Sequence, residues 1–286
     1  MARVHIVATV VAIVTVVTSG AFATLNFAGL AARTGVNGSF HDMNYYAPIK
    51  GGHPEKFERV CVFCHTPHNA DVNEPGSLPT PGGNSNFAPL WNHDKSQLTF
   101  SPYQWATPAN LEFTINDPLV GPSRLCMSCH DGSIAVDQHG AAVPQTGTIR
   151  ISGKRAVGNS GDLSTTHPIG FDYVNARTQR NRTAINGSAL ATPVSEIMYE
   201  TNTFAIDIVI NPDPNSTTYN SVTRQGTRTI ASTLYNGRIM TCATCHEVHN
   251  KENATQAVST DGSPTPNYFL YAKVQNSLIC LSCHVK

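Results

Sequence analysis

Apolar and polar positions along this 286-residue chain fall into short blocks with little sustained period. Residues 6–17 form a predominantly apolar run, preceded by Arg3 and followed by Thr18-Ser19-Gly20 and Ala21-Phe22-Ala23. A basic residue, a short apolar stretch and an A-x-A site predict a cleaved export signal over 1–23. The run is well short of the ~20 residues that cross a bilayer. Further along, residues 204–210, 221–230 and 233–240 alternate or carry β-branched side chains and predict strands, with Asn-Pro-Asp-Pro-Asn at 211–215 as a turn. Residues 54–64 begin with Pro, Glu and Lys, as a first helical turn does, and predict a helix. Residues 71–86 read as loop.

Composition sharpens the picture. Charged residues are 13% of the chain, about half the usual ~25%. Nineteen Lys and Arg balance nineteen Asp and Glu. That leaves no basic face for nucleic acid, and a charge-driven DNA or RNA binder is excluded. Hydrophobic residues at 40% allow a core, though a thin one for this length. The unusual counts are 8 Cys and 12 His.

Every cysteine belongs to one pattern: Cys61-x-x-Cys64-His65, Cys126-x-x-Cys129-His130, Cys242-x-x-Cys245-His246 and Cys280-x-x-Cys283-His284. C-x-x-C-H is the c-type haem attachment signature. Two thiols at this spacing reach the two vinyl groups of one porphyrin, and the adjoining His turns under the ring to the iron. A single copy also suits a zinc site or a redox dithiol. Four copies with no Cys left over, behind an export signal, point to four covalently bound haem c groups. The fold class expected is a multihaem cytochrome c: mostly irregular coil, with short haem-bearing helices and a small β-rich insert.

The four motif histidines supply one axial ligand each. Outside the signal, seven others remain: His41, His53, His68, His93, His139, His167 and His249. Four distal positions can thus be filled with histidine, and bis-His coordination throughout is the expectation. His68 and His249 each follow a motif His by three residues, in CVFCHTPHN and CATCHEVHN. Neither can reach the second face of the adjacent haem. At a three-residue spacing on a helical turn, each is placed to ligate a different haem packed alongside. His167 precedes Pro168, which presses it towards extended backbone. His41 and His93 each adjoin an Asp that suits an outer hydrogen-bond acceptor. His53 and His139 read as ordinary exposed histidines. Met43, Met127, Met198 and Met240 read as core fillers.

The chain also echoes itself. RVCVFCHTPHN followed by RLCMSCH resembles MTCATCHEVHN followed by LICLSCH, which suggests two haem pairs on a duplicated plan. The organisation expected is a signal over 1–23, a first haem pair with an N-terminal arm over 24–140, a β-rich insert over 141–240, and a second haem pair over 241–286. Five N-x-S/T sequons, at Asn37, Asn181, Asn186, Asn215 and Asn253, are about as many as chance supplies.

The ordered set HD, CVFCHTPHNA, PLWNH, CMSCHDGSIAVD, THPIGFDY, CATCHEVHN, YFL and LICLSCH resembles the tetrahaem outer-surface cytochromes of the OmcE type. The resemblance covers most of the mature chain and is weakest over 171–240. It implies a secreted, non-enzymatic electron carrier, extracellular or at the cell surface, whose subunits polymerise into a conductive filament. It implies bis-His haems, with shared histidines at His41, His68, His93, His167 and His249, and one iron ligated from a neighbouring subunit. Upstream periplasmic or membrane cytochromes and extracellular electron acceptors are the partners implied. His41 lies ahead of Cys61 on a loosely patterned arm, which makes it the candidate for the intersubunit ligand. The alternative expected is a monomeric periplasmic tetrahaem shuttle; a multihaem reductase would need an open iron, which the histidine surplus does not favour.

Overall fold

The computed structural model describes residues 36–52, 54–68, 70, 90–104, 115, 117–139, 149–185, 188–204, 207–210, 222–225, 228–249, 255–256, 265–266, 268–272, 274 and 277–285. The expected signal over 1–23, the loop over 71–86, and His53 lie outside the described residues.

Among the described residues, regular structure is sparse and short. Helices are α1 (Met43–Ile49), α2 (Pro122–His130), α3 (Tyr173–Arg180), α4 (Ile230–Thr233), α5 (Cys242–Cys245) and α6 (Leu278–Leu281). Strands pair as three separate antiparallel hairpins: β1 (Arg182–Ile185) with β2 (Ser188–Val194), β3 (Asp207–Ile210) with β4 (Val222–Gln225), and β5 (Thr255–Gln256) with β6 (Thr265–Pro266). No described helix is long and apolar enough to cross a membrane.

Local chemistry explains the starts of the helices. Asp42 caps α1 by accepting from the Asn44 backbone N–H at 3.1 Å. Asp172 caps α3 through the Asn175 N–H at 3.0 Å. Proline occupies the first turn of α2, where its missing N–H costs no bond. Gly121 before it sits at φ 61°, where a Cβ would come within 2.9 Å of the Tyr235 ring.

Three expectations need correction. Residues 54–64 do not form a helix; only Val60–Phe63 makes a 3₁₀ turn. The Glu55 carboxylate accepts from the Phe57 and Arg59 N–H groups at 2.9 and 3.1 Å, and Glu58 takes φ 55°. Local capture of backbone donors thus replaces the helical ladder. Residues 233–240 do not form a strand. Asn236 and Gly237 adopt positive φ, so Tyr235 and Ile239 close directly on each other with two 2.9 Å bonds. The third correction is His139, which is buried with its ring 4.7 Å from Phe63, not exposed. The β1–β2 hairpin was not expected, although Asn186-Gly187 between its strands is a strong hairpin dipeptide.

Among the described residues, four small apolar clusters take the place of one core. One gathers Phe171, Tyr173, Phe204, Ile230 and Leu234, with Cys283 at its edge. A second joins Met43, Tyr46, Phe63, Val136 and Ile149, bordered by Cys64 and Cys129. A third is Leu119, Met127 and Leu163, bordered by Cys242. The fourth is Val120, Tyr235 and Ile239. Phe204 and Ile230 are fully buried, a contribution of about 1.5–3 kcal/mol each. Three of the clusters thus have a motif cysteine at the rim.

Candidate functional site

Each C-x-x-C-H motif begins on a short helical turn: the 3₁₀ turn at Val60–Phe63, α2, α5 and α6. In three of the four the backbone then turns extended at the histidine and is bracketed by a second segment. His65 pairs with Trp91, His246 with Leu270, and His284 with Ile197, each as a single antiparallel bridge. Thr66 N–H donates to Leu90 at 2.9 Å and Asn92 N–H to Cys64 at 2.9 Å. Glu247 N–H donates to Phe269 at 2.8 Å and Tyr271 N–H to Cys245 at 2.9 Å. The residue before the bracketing residue has positive φ in both, Leu90 at 56° and Phe269 at 59°. The sequence echo between the first and third motifs therefore extends to the segments that clamp them. Motif two differs: α2 runs on through His130.

None of the eight motif cysteines is joined to another in a disulfide. They follow one another through space in chain order. Cys64 lies near Cys129, Cys126 near Cys242, and Cys245 near Cys283. Ser123 on α2 fixes the middle junction by accepting from the Cys242 N–H at 3.1 Å. Cys64, Cys129 and Cys245 keep some accessible surface as residues, but their thiols are embedded. Burial foremost pushes all three up to about 12. The Cys242 thiol shifts the other way, lowered chiefly by its contact with Cys126.

The histidines gather around these motifs in pairs drawn from distant segments. The rings of His65 and His249 are 6.0 Å apart, centre to centre, with planes 19° apart. Those of His41 and His130 are 6.2 Å apart, with planes at 85°. A metal–imidazole bond of about 2.0–2.1 Å on each side, plus about 1.2 Å from nitrogen to ring centre, sets trans imidazoles roughly 6.4 Å apart. Both pairs fall close to that separation. His167 and His284 both line a cleft of about 190 Å³, together with Cys283, Phe171 and Met240.

Hydrogen bonds identify the nitrogen each ring leaves available. A carbonyl oxygen only accepts, so the ring nitrogen facing it carries the proton. Nδ1 of His130 donates to Arg155 at 2.8 Å, that of His246 to Tyr268 at 2.7 Å, and that of His167 to Pro168 at 3.0 Å. Nδ1 of His249 faces the Glu247 carboxylate at 3.2 Å. In all four the Nε2 lone pair is left for a metal, as in metal-ligating histidines. Burial, above all, lowers the pKa of His167 and His246. It lowers that of His41 to about 3, with the cationic forms of His130, His246 and His249 adding to the effect. These rings are neutral near pH 7, as ligands must be. Nδ1 of His41 is buried without a hydrogen-bond partner.

His93 is arranged differently. It is buried, with Nδ1 3.1 Å from the Asp94 carbonyl and Nε2 2.9 Å from the Ala135 carbonyl. Its Nε2 also lies 3.7 Å from the Cys129 sulfur. His68 is exposed on the turn after motif one, its carbonyl accepting from the Thr66 hydroxyl at 2.9 Å. Met43, Met127 and Met240 are buried in the apolar clusters.

Among the described residues, no group of three or more His, Cys, Asp or Glu side chains is arranged to hold a bare metal ion. The donors offer instead imidazole pairs, one stacked and one edge-to-face, beside closely spaced cysteines, and these residue types fit c-type haem. Sequence inspection missed Glu247, which stands between two histidines in CHEVH. It also missed the carbonyls of Arg155, Pro168 and Tyr268, which no side-chain pattern reveals. Set beside models of known protein families and curated proteins, the chain matches none of them.

Proposed function

We propose that the chain holds four covalently bound haem c groups and passes electrons along them. The observation that carries this reading is the approach of His249 to His65, and of His41 to His130, at the spacing of trans axial ligands. Cys61 and Cys64, Cys126 and Cys129, Cys242 and Cys245, and Cys280 and Cys283 anchor the four groups through thioether bonds. His65, His130, His246 and His284 are the near-side ligands. His249 serves the group on motif one, His41 that on motif two, and His167 that on motif four. By the internal echo, His68 serves motif three, reciprocating His249. His93, whose ring nitrogens both face carbonyls, is the spare of the five.

Each haem supplies one iron that cycles between the ferric and ferrous states. The protein's part is to hold and insulate. The cysteine-rimmed clusters exclude water from one side of the sites, and backbone carbonyls on Nδ1 fix the imidazole orientation. With histidine on both faces no iron keeps a substrate position, so the chain is an electron carrier and not an enzyme.

The resemblance to the OmcE type extends the reading to an extracellular filament of this chain, delivering electrons from upstream cytochromes to external acceptors. In that filament we assign His41 to its own chain, beside His130, and not to the intersubunit ligand. Cryo-electron microscopy of surface material sheared from expressing cells tests this. A filament with a continuous haem chain supports the conduit. Fully loaded particles that are only monomeric overturn the filament and leave a periplasmic shuttle.

A further inference from the structure

The two halves of the chain echo each other around motifs one and three, and among the positions where they differ one directly follows the motif histidine. The residue after the motif histidine is Thr66 in the first and Glu247 in the third. Thr66 turns its hydroxyl onto the His68 carbonyl and so acts on the backbone. Glu247 acts on an imidazole. One carboxylate oxygen accepts from the His249 N–H at 3.0 Å and faces His249 Nδ1 at 3.2 Å. The other accepts from the Tyr271 hydroxyl at 3.3 Å. The Glu247 side chain is 12% exposed, and Arg228 lies over the Tyr271 ring at 5.0 Å. The carboxylate is therefore fixed from two sides and aimed at one ring nitrogen.

The remaining imidazoles with a described Nδ1 partner, His93, His130, His139, His167 and His246, use neutral carbonyls. Nδ1 of His41 is buried without a partner. An imidazole whose Nδ1–H points at a carboxylate is a more basic, more electron-rich ligand than one facing a carbonyl, and a ring with no acceptor is poorer still. An electron-rich axial ligand favours the ferric state, which carries one more positive charge.

Resting on the haem reading above, we propose that Glu247 is a positioning residue that sets one site, the His65–His249 pair, to the lowest reduction potential of the chain. The His41–His130 pair lies above it. The duplicated plan is thereby given unequal halves through a single side chain.

The experiment is a spectroelectrochemical titration of the fully loaded protein, resolved into four one-electron components, with the electron paramagnetic resonance spectrum taken alongside. Wild type is compared with Glu247→Gln and with Glu247→Thr, the residue of the other half. The lowest of the four midpoints is expected to rise in both variants. The rise corresponds to about a tenfold change in that site's oxidised-to-reduced ratio at fixed potential, or about 59 mV for one electron. The other three stay in place and all four irons remain low-spin. Four unmoved midpoints in either variant overturn the proposal. So does loss of one low-spin signal, because Glu247 would then merely hold His249 in place. A wild-type protein without four low-spin haems would instead refute the haem reading itself.

Discussion

His65 and His249, from opposite halves of the chain, bring their imidazoles within 6.0 Å with planes 19° apart. In the perpendicular counterpart, His41 and His130 stand 6.2 Å apart at 85°. Near-parallel and near-perpendicular planes are both open to two rings that share one axis through a metal. Replacing either distal member by alanine therefore removes one ligand from one site.

His249→Ala and His41→Ala are each expected to convert one quarter of the low-spin haem signal to high-spin, at different sites. His93→Ala should leave all four low-spin, because both of its ring nitrogens face carbonyls. Electron paramagnetic resonance of the oxidised proteins decides between these outcomes. Loss of a low-spin signal in His93→Ala would return His93 to the ligand set.

How far the site could be read from the sequence differs from residue to residue. The C-x-x-C-H pattern is local covalent chemistry, so it is plain in the sequence. The approach of His249 to His65 of motif one fits the expectation drawn from its three-residue offset from His246. The role of PLWNH was not legible. Its Leu90 and Asn92, either side of Trp91, clamp motif one through backbone bonds, and backbone bonds leave no mark on residue type. The failed helix over 54–64 has a similar origin: Glu55 is a good helix former by propensity, but here its carboxylate captures the N–H groups that the helix needed.

Gly170 follows His167 closely at φ 79°, and a Cβ there would meet the Asp117 carbonyl and lie 2.5 Å from Pro118 Cα. The obstacle is backbone and cannot swing aside. Gly170→Ala should cost about 1–3 kcal/mol from the left-handed conformation alone. The displaced loop should carry His167 away from the cleft it shares with His284. Guanidinium unfolding of the variant reads the first effect, and a high-spin signal from one quarter of the haem reads the second.

The Arg59 side chain, hydrogen-bonded to Glu55, is the main cause that holds the Glu55 carboxyl down to about 2, with the Arg59 and Phe57 N–H groups adding to it. Glu55 is 3% exposed while its cover, the Arg59 side chain, is 55% exposed. The pair is thus a shallow one, and its stabilisation is modest. The folded value lies below the unfolded value of 4.5. The stabilisation is therefore complete above about pH 4.5 and is lost as pH falls towards 2. The stability difference between wild type and Glu55→Gln should shrink over that range when thermal unfolding is followed against pH. A constant difference would contradict the assignment.

Ser123 is fully buried and its hydroxyl accepts from the Cys242 N–H across the α2–α5 junction. Ser123→Ala strands that donor and should destabilise the protein by about 1–3 kcal/mol. Ser123→Gly removes the same acceptor and should cost at least as much. Chemical denaturation of both variants measures this, and stability equal to wild type would mean that the junction is held elsewhere.

The central claim concerns the four motifs, and intact-mass spectrometry of the denatured protein tests it most directly. The chain is to be purified from a host with c-type haem maturation. The predicted result is one species, the processed polypeptide plus four haems that survive denaturation. A bare polypeptide, or one carrying its cysteines as disulfides, would contradict the account.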